Sequence, residues 1–427
     1  MSAAPSDLPA LAEACGLGGF PVSDPGARVF SIWEITSWHL PMAPEHLRRV
    51  LAEHPDLPQG EAGVEGGTRW FSAADIGALR RHFAAGPRGK RYRLDRPTGA
   101  RAPLVTLAGP QGASGRTLAL AHLATAAALA GWRVLVLDAD PGGRLAALLG
   151  DRFRSETSPL PDPAPSGPLG LIARAAARQL RRTNSARLDM GEPPLPMDDR
   201  LSAALGLTAA ALIRPSRWPG LDLMVPLQDG LLADPLIAAW RTGQRSWQPW
   251  RALAEALDEE GLRGRYDLIF CDTGRGLGPM ALAALISADV LLAPVPLTGE
   301  GPGRLAEGLA ALSAATTEVQ AEAQGLARAL GQPGPAYDWQ RIALLPTRSG
   351  ADGPERLAGF AAKLGPLAAS LLPAALPEVA LPPGRQFYDL DYRDIGRQAY
   401  TPPREACEAA FRGLAALIGR LWHETPV

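Results

Sequence analysis

The segment LVTLAGPQGASGRT at residues 104–117 constrains the fold of this 427-residue chain more than any other. Four residues that suit a buried strand run into a glycine-rich turn, and a helix pattern starts directly behind it. Successive backbone N–H groups in such a turn, with the positive end of the following helix, form a cradle for an anion. A phosphate-cradling loop of this type closes on Gly-Lys-Ser/Thr, whereas this one closes on Gly115-Arg116-Thr117. Thr117 stands where a hydroxyl can hold Mg²⁺. The same glycine turn also suits a plain tight strand–helix connection, so its surroundings must decide.

Those surroundings alternate. Residues 104–107, 133–137, 221–225, 267–271, 290–293 and 341–345 are short apolar runs, each followed by turn residues and a helical stretch. A helix over 117–130 closes on Gly131, and residues 158–168, with five prolines, predict a loop. This order predicts an α/β fold: a doubly wound, mostly parallel sheet with ligands at the carboxyl ends of its strands. The second strand ends in Asp138-Ala139-Asp140-Pro141. Alternate residues of a strand share a face, so both carboxylates can look into one site. There one acts through a metal's water shell and the other orients a nucleophilic water. Asp272 closes a third apolar strand, YDLIFCD at 266–272. Singly, each of these is also what a solvated strand end or a turn aspartate looks like. Three in this order point to a nucleotide site.

A net charge of −1 excludes a global basic field, so any nucleic-acid contact must be a local patch. Cys15, Cys271 and Cys407 are too far apart for a disulfide framework or a metal site, which fits a reducing cytoplasm. The N-terminus lacks the pattern of a signal peptide, and no apolar run of membrane-spanning length occurs. Lys90 and Lys363 are the only lysines among 43 basic residues. This is the bias of a GC-rich genome, and it offers an ordinary origin for Arg116.

Four regions are expected. Residues 1–27 form a loose tail. Residues 28–86 form a small domain with helical patterns at 32–38, 44–53 and 73–83. Residues 87–101 carry Arg88, Lys90, Arg91, Arg93, Arg96 and Arg101 against Asp95 alone, and predict an exposed basic linker. Residues 102–427 form the α/β domain, ending in an amphipathic helix over 404–422.

These residues resemble the ParA/MinD superfamily of deviant-Walker ATPases, most closely its RepA-type partition proteins. The likeness runs over about 28–422. It rests on Gln111-Gly112-Ala113-Ser114-Gly115-Arg116-Thr117-Leu118, on Val134-Leu135-Val136-Leu137-Asp138-Ala139-Asp140-Pro141-Gly142, and on Asp272-Thr273-Gly274-Arg275. It implies ATP and Mg²⁺ as cofactors, with the nucleotide against residues 111–118 and sandwiched between two subunits of a homodimer. Asp140 would position the attacking water, with Arg116 and Asp138 completing the catalytic set. Thr117, Asp138 and Asp272 would hold the metal.

The departures fall where catalysis lives. The loop lysine is Arg116, and the lysine that reaches the partner's phosphates is Gln111. A loop glycine is Ala113, and the prolines after Asp272 are gone. A planar guanidinium does not replace a compact ammonium at the β- and γ-phosphates, so the expectation is weak or lost hydrolysis. Arg144 and Arg275 are nearby candidates to compensate.

Residues 28–84 resemble the winged helix-turn-helix that precedes the ATPase in RepA-type proteins. The resemblance rests on Phe30-Ser31-Ile32-Trp33-Glu34-Ile35, the helix with Leu47-Arg48-Arg49, and Thr68-Arg69-Trp70-Phe71-Ser72. It implies DNA contacts from Arg48, Arg49 and Arg69. The plainer alternative is a small helical dimerisation domain, since acidic residues dilute the charge here. The expected partners are a second copy, DNA, and a ParB-like or active ParA-type protein, with a cytoplasmic, nucleoid-associated location. A membrane-surface role for the last helix is disfavoured, because Arg404, Arg412 and Arg420 supply little charge for anionic lipid. Two alternatives stay open: a catalytically dead regulator or scaffold, and, below both, another P-loop enzyme such as a kinase.

Overall fold

The computed structural model describes residues 28–63, 68–109, 115–150, 163–244, 247–350, 352–382 and 384–424. Its centre is a seven-stranded sheet in the order β10-β9-β4-β8-β5-β7-β6. The strands are β4 (Leu104–Leu107), β5 (Val134–Asp138), β6 (Arg214–Pro215), β7 (Leu221–Met224), β8 (Leu268–Asp272), β9 (Val290–Pro296) and β10 (Arg341–Thr347). Every pairing is parallel except the short edge strand β6, which runs antiparallel to β7. This is the α/β fold expected from the alternation of strands and helices.

The near-continuous apolar strands are buried on both faces, as a parallel sheet requires. Val105, Leu107, Val134, Val136, Leu268 and Phe270 face a core shared with the Arg116–Leu129 and Arg397–Glu424 helices. Leu104, Leu135, Leu137, Ile269 and Cys271 face the opposite core, with the Gly167–Asp189 and Ala252–Glu259 helices. The period of two therefore sends Asp138 and Asp272 to the side of the Arg116–Leu129 helix. The two are register partners on adjacent strands.

β1 (Val29–Ser31), β2 (Glu61–Ala62) and β3 (Arg69–Ser72) form a separate antiparallel sheet in the order β1-β3-β2. Phe30 pairs with Phe71, and both are fully buried. β1 and β3 each end in a serine that caps the next helix: Ser31 with Glu34, and Ser72 with Asp75, both as capping boxes. The Pro44–Glu53 and Ala73–Ala85 helices close this module. Its core is continuous with that of the main sheet. Arg80 fastens it by donating to the carbonyls of His39 at 2.7 Å and Leu129 at 3.1 Å. Arg28 fastens it again through the Leu390 carbonyl at 3.1 Å and Glu34.

Three expectations need correction. The basic stretch 87–101 is not exposed throughout. Tyr92 is buried in the shared core, and Arg96 donates to the Tyr266 carbonyl and to Asp267 Oδ1, each at 2.6 Å. Carbonyls and a carboxylate take up the charge that the composition assigned to solvent. Arg404 does not lie on a polar face: it is 1% exposed, with Glu408 at 2.9 Å and His39 Nε2 at 3.1 Å. The proline-rich loop ends sooner than expected, because a helix already runs from Gly167 with Pro168 in its first turn, where a missing N–H costs nothing.

Candidate functional site

The carboxyl ends of β4, β8 and β5 meet at the start of the Arg116–Leu129 helix. Gly115 is that helix's N-cap at φ +73°, with no side-chain cap. An added Cβ there would touch nothing, so the left-handed backbone alone calls for glycine. Of the expected phosphate-loop residues, Gln111, Gly112, Ala113 and Ser114 lie outside the described residues. Gly115, Arg116, Thr117 and Leu118 line a pocket of about 700 Å³. So do Asp140, Arg144 and Arg275. The far wall is Val379, Leu381, Pro382 and Arg385, which sequence reading missed. Those residues lie far along the chain in a proline-rich segment without any periodic signal. Arg116, Arg144, Arg275 and Arg385 thus surround one helix N-terminus, an arrangement suited to a polyanion.

Thr117 and the strand carboxylates come together as expected. Thr117 Oγ1 donates to Asp272 Oδ2 at 2.6 Å. Asp140 is partly exposed in the pocket, where its Oδ1 accepts from Gly142 N at 3.0 Å. Gly274, at φ +68°, packs against it so closely that an added Cβ would lie 3.0 Å from its carboxyl carbon. Asp138 differs from its neighbour: it is fully buried and does not line the pocket. Its Oδ1 accepts from Asp140 N at 3.1 Å, so it orders the turn that presents Asp140. Burial, then the neighbouring Asp272, holds the Asp138 carboxyl well above the usual aspartate range. Burial also raises Asp272, against the opposing pull of Arg116 and the Thr117 hydrogen bond.

Arg116 does not reach into the pocket as a phosphate-binding lysine would. Its side chain is 7% exposed and folds back onto the protein. It donates to the Gly109 carbonyl, and its Nε lies 3.7 Å from Asp272 Oδ1. Asp272 Oδ1, Asp138 Oδ2 and Arg116 Nε are all buried without a hydrogen-bond partner. Such orphaned atoms in a low-dielectric site carry a cost that must be met elsewhere.

They also test the fit of Mg²⁺. The ion binds oxygens at about 2.1 Å in a near-octahedral shell. Ligated by Asp272, it would have to share that carboxylate with the Arg116 guanidinium, whose Nε already lies 3.7 Å from Oδ1. Two cations held on one buried carboxylate repel each other at short range. With Arg116 where it lies, Thr117, Asp138 and Asp272 do not fit a Mg²⁺ ion. No cluster of three or more His, Cys, Asp or Glu suited to a metal occurs among the described residues.

The predicted DNA contacts lie on the N-terminal module. Arg48 and Arg69 line one groove of about 460 Å³ with Trp33, Gln59 and Tyr392. Arg49 does not line it. Arg48 lies 3.4 Å from Glu45, Arg49 lies 4.0 Å from Glu53, and Arg69 donates to the Gln59 carbonyl at 2.7 Å. Arg393 stacks over Trp70 and Arg397 over Trp33, each at 3.8 Å. The last helix buries its apolar face, including Phe411, Leu414, Ile418 and Trp422, against the core. No described helix is long and apolar enough to cross a membrane.

A parallel sheet with a glycine-capped helix, a strand-end carboxylate and a cationic pocket defines a nucleotide-binding α/β protein of the P-loop kind. The model of the CobQ/CobB/MinD/ParA nucleotide binding domain matches residues 105–373, and the chain belongs to that family. Within it, the chain is similar to the provisionally named replication protein A of Rhizobium rhizogenes, 34% identical over 140 residues. It is also similar to its namesake from Sinorhizobium fredii, 25% identical over 271 residues. Those matches span 33% and 62% of this chain, and 34% and 56% of the relatives' own lengths. A solved structure described as a partition protein shares the fold over 98% of both chains, with a TM-score of 0.58 and 14% identity.

Proposed function

We propose that this chain is a ParA/RepA-like partition protein. It acts as a nucleotide-dependent, DNA-binding homodimer in plasmid or chromosome segregation or cargo positioning, and its hydrolysis is weak. One observation carries this reading: a helix N-terminus capped by Gly115 opens into a pocket that holds Asp140, Arg144, Arg275 and Arg385. The helix end and Arg144, Arg275 and Arg385 would hold the phosphates. Asp140, ordered by Asp138 and backed by Gly274, would orient a water at the terminal phosphate. Residues 111–114 would complete the cradle. ATP is the cofactor on this reading, and a ParB-like protein is its expected partner, with action in the cytoplasm on the nucleoid.

On the N-terminal module, Arg48 on the Pro44–Glu53 helix and Arg69 on β3 would contact DNA, with Arg49 next to Arg48 on that helix. Arg48→Ala and Arg69→Ala should each weaken binding across all sequences and lower the salt slope by about one. Titrating labelled duplex at several salt concentrations checks this. An unchanged slope in both variants would count against the module as a DNA head.

A second reading is a pseudo-ATPase that serves as a DNA-binding regulator or scaffold, paired with an active ParA-type partner. The inward fold of Arg116 onto Gly109 and Asp272 favours it. Phosphate release by purified protein with ATP and DNA, beside an Asp140→Ala control, separates the two. Turnover above the control supports a slow ATPase, and equal traces support the pseudo-enzyme. Absence of nucleotide binding would overturn the first reading altogether.

A further inference from the structure

The strand ends already hold one cation that belongs to the chain itself. Asp138 and Asp272 are adjacent, fully buried, and each keeps one oxygen without a hydrogen bond. This is an acceptor-rich spot that wants a cation. The nearest one is covalently attached: the Arg116 guanidinium, itself buried, with an orphaned Nε 3.7 Å from the orphaned Asp272 oxygen. The Gly109 carbonyl anchors its other end. A guanidinium keeps its charge at every physiological pH, so this cation cannot be lost by deprotonation.

We infer that Arg116 is a built-in replacement for a divalent ion, so that the pocket takes a phosphate-bearing nucleotide without a metal. The inference rests on the nucleotide reading of the pocket. It assigns the phosphate charge to Arg144, Arg275, Arg385 and the helix end, and the carboxylate charge to Arg116. Thr117, bonded to Asp272, is then a positioning residue that holds the carboxylate toward the guanidinium.

Mn²⁺ is a spin-active probe of Mg²⁺ sites, and its binding to the full chain tests the inference directly. By electron paramagnetic resonance, Arg116→Ala should bind Mn²⁺ at least tenfold more tightly than wild type. Asp272→Asn in the Arg116→Ala background should abolish the gain. Should circular dichroism show that Arg116→Ala does not fold, Arg116→Gln, which keeps a donor for Gly109, takes its place. Wild type binding Mn²⁺ as tightly as the variant would overturn the inference. A second measurement compares the ATP dissociation constant of wild type in Mg²⁺ and in EDTA by calorimetry. A change below fivefold is expected, and fivefold or more weakening in EDTA would overturn the inference. If ATP binds in neither buffer, the proposed function fails, and the Mn²⁺ comparison still decides whether Arg116 occupies the cation's place.

Discussion

β8 has an aspartate at each end, and the two live in opposite environments. Asp267, just before the strand, accepts four hydrogen bonds: one from Arg96 and three from the side chain and backbone of Arg133. Burial alone would raise its carboxyl, but Arg133 and Arg96 outweigh this and hold it below the usual range. Asp272, at the other end, is fully buried and accepts from Thr117, while its second oxygen is left unmade. Its carboxyl is raised. The same side chain on the same strand is a fastener at the amino end and a stored cost at the carboxyl end. The carboxyl end of a parallel strand is also where ligands bind, and unsatisfied polar atoms concentrate where function requires them.

The comparison can be broken by mutation. Asp267→Ala should be the most damaging, at about 2–4 kcal/mol, because it removes the carboxylate paired with the largely buried Arg96 and leaves the Arg133 backbone N–H unmet. Part of Arg133 stays in solvent, which moderates the loss. Equilibrium urea melts measure it, and an effect under about 1 kcal/mol would remove the fastener role.

His122 follows, through pH. It is buried on the helix that starts at the site, and its Nε2 accepts from Phe387 N at 3.0 Å. Burial lowers its pKa from 6.5 to about 3. The native state therefore stays neutral where the unfolded chain takes up a proton, and stability falls as pH drops from 6.5 toward 3. The slope for one proton is about 1.4 kcal/mol per pH unit. His122→Gln, whose amide oxygen can still accept from Phe387, should flatten that acid limb by one proton. An unchanged limb would show that His122 is protonated in the folded state.

Asp138→Asn should go the other way and stabilise the protein by about 1 kcal/mol at neutral pH, since function-bearing strain is relieved. The asparagine oxygen still accepts from Asp140 N. A raised acid costs stability as pH rises above the unfolded value of 3.8, so the gain should shrink as pH falls toward that value. A destabilised variant at pH 7 would mean that Asp138 is fully paired. The smallest stability change, within about 1 kcal/mol, is expected for Asp272→Asn combined with Arg116→Gln, which removes both charges of this buried pair together. A loss matching that of Asp267→Ala would erase the contrast between the two strand ends.

Much of this was legible in the chain itself. β4 has the predicted limits, and Thr117, Asp140 and Asp272 come together at the carboxyl ends of the central strands as their spacing implied. Period two and period 3.6 are local signals and survive without partners. What was illegible depends on folding at a distance. Arg385 joins the pocket from a segment more than 250 residues beyond the glycine turn. Arg96 and Arg404 read as surface charges because sequence does not show that Asp267 and Glu408 await them. The inward turn of Arg116 was also hidden, because the direction of this first helical side chain is set by the carboxylate beneath it and not by its neighbours in sequence.

The most direct test of the account is ATP binding to the purified full chain, read by calorimetry in parallel for wild type and an Arg275→Ala/Arg385→Ala double variant. The account predicts saturable one-site binding to wild type that weakens at least tenfold in the double variant, with both proteins equally stable. No binding to wild type at millimolar ATP, or equal binding to both, would contradict the assignment of this pocket as the nucleotide site.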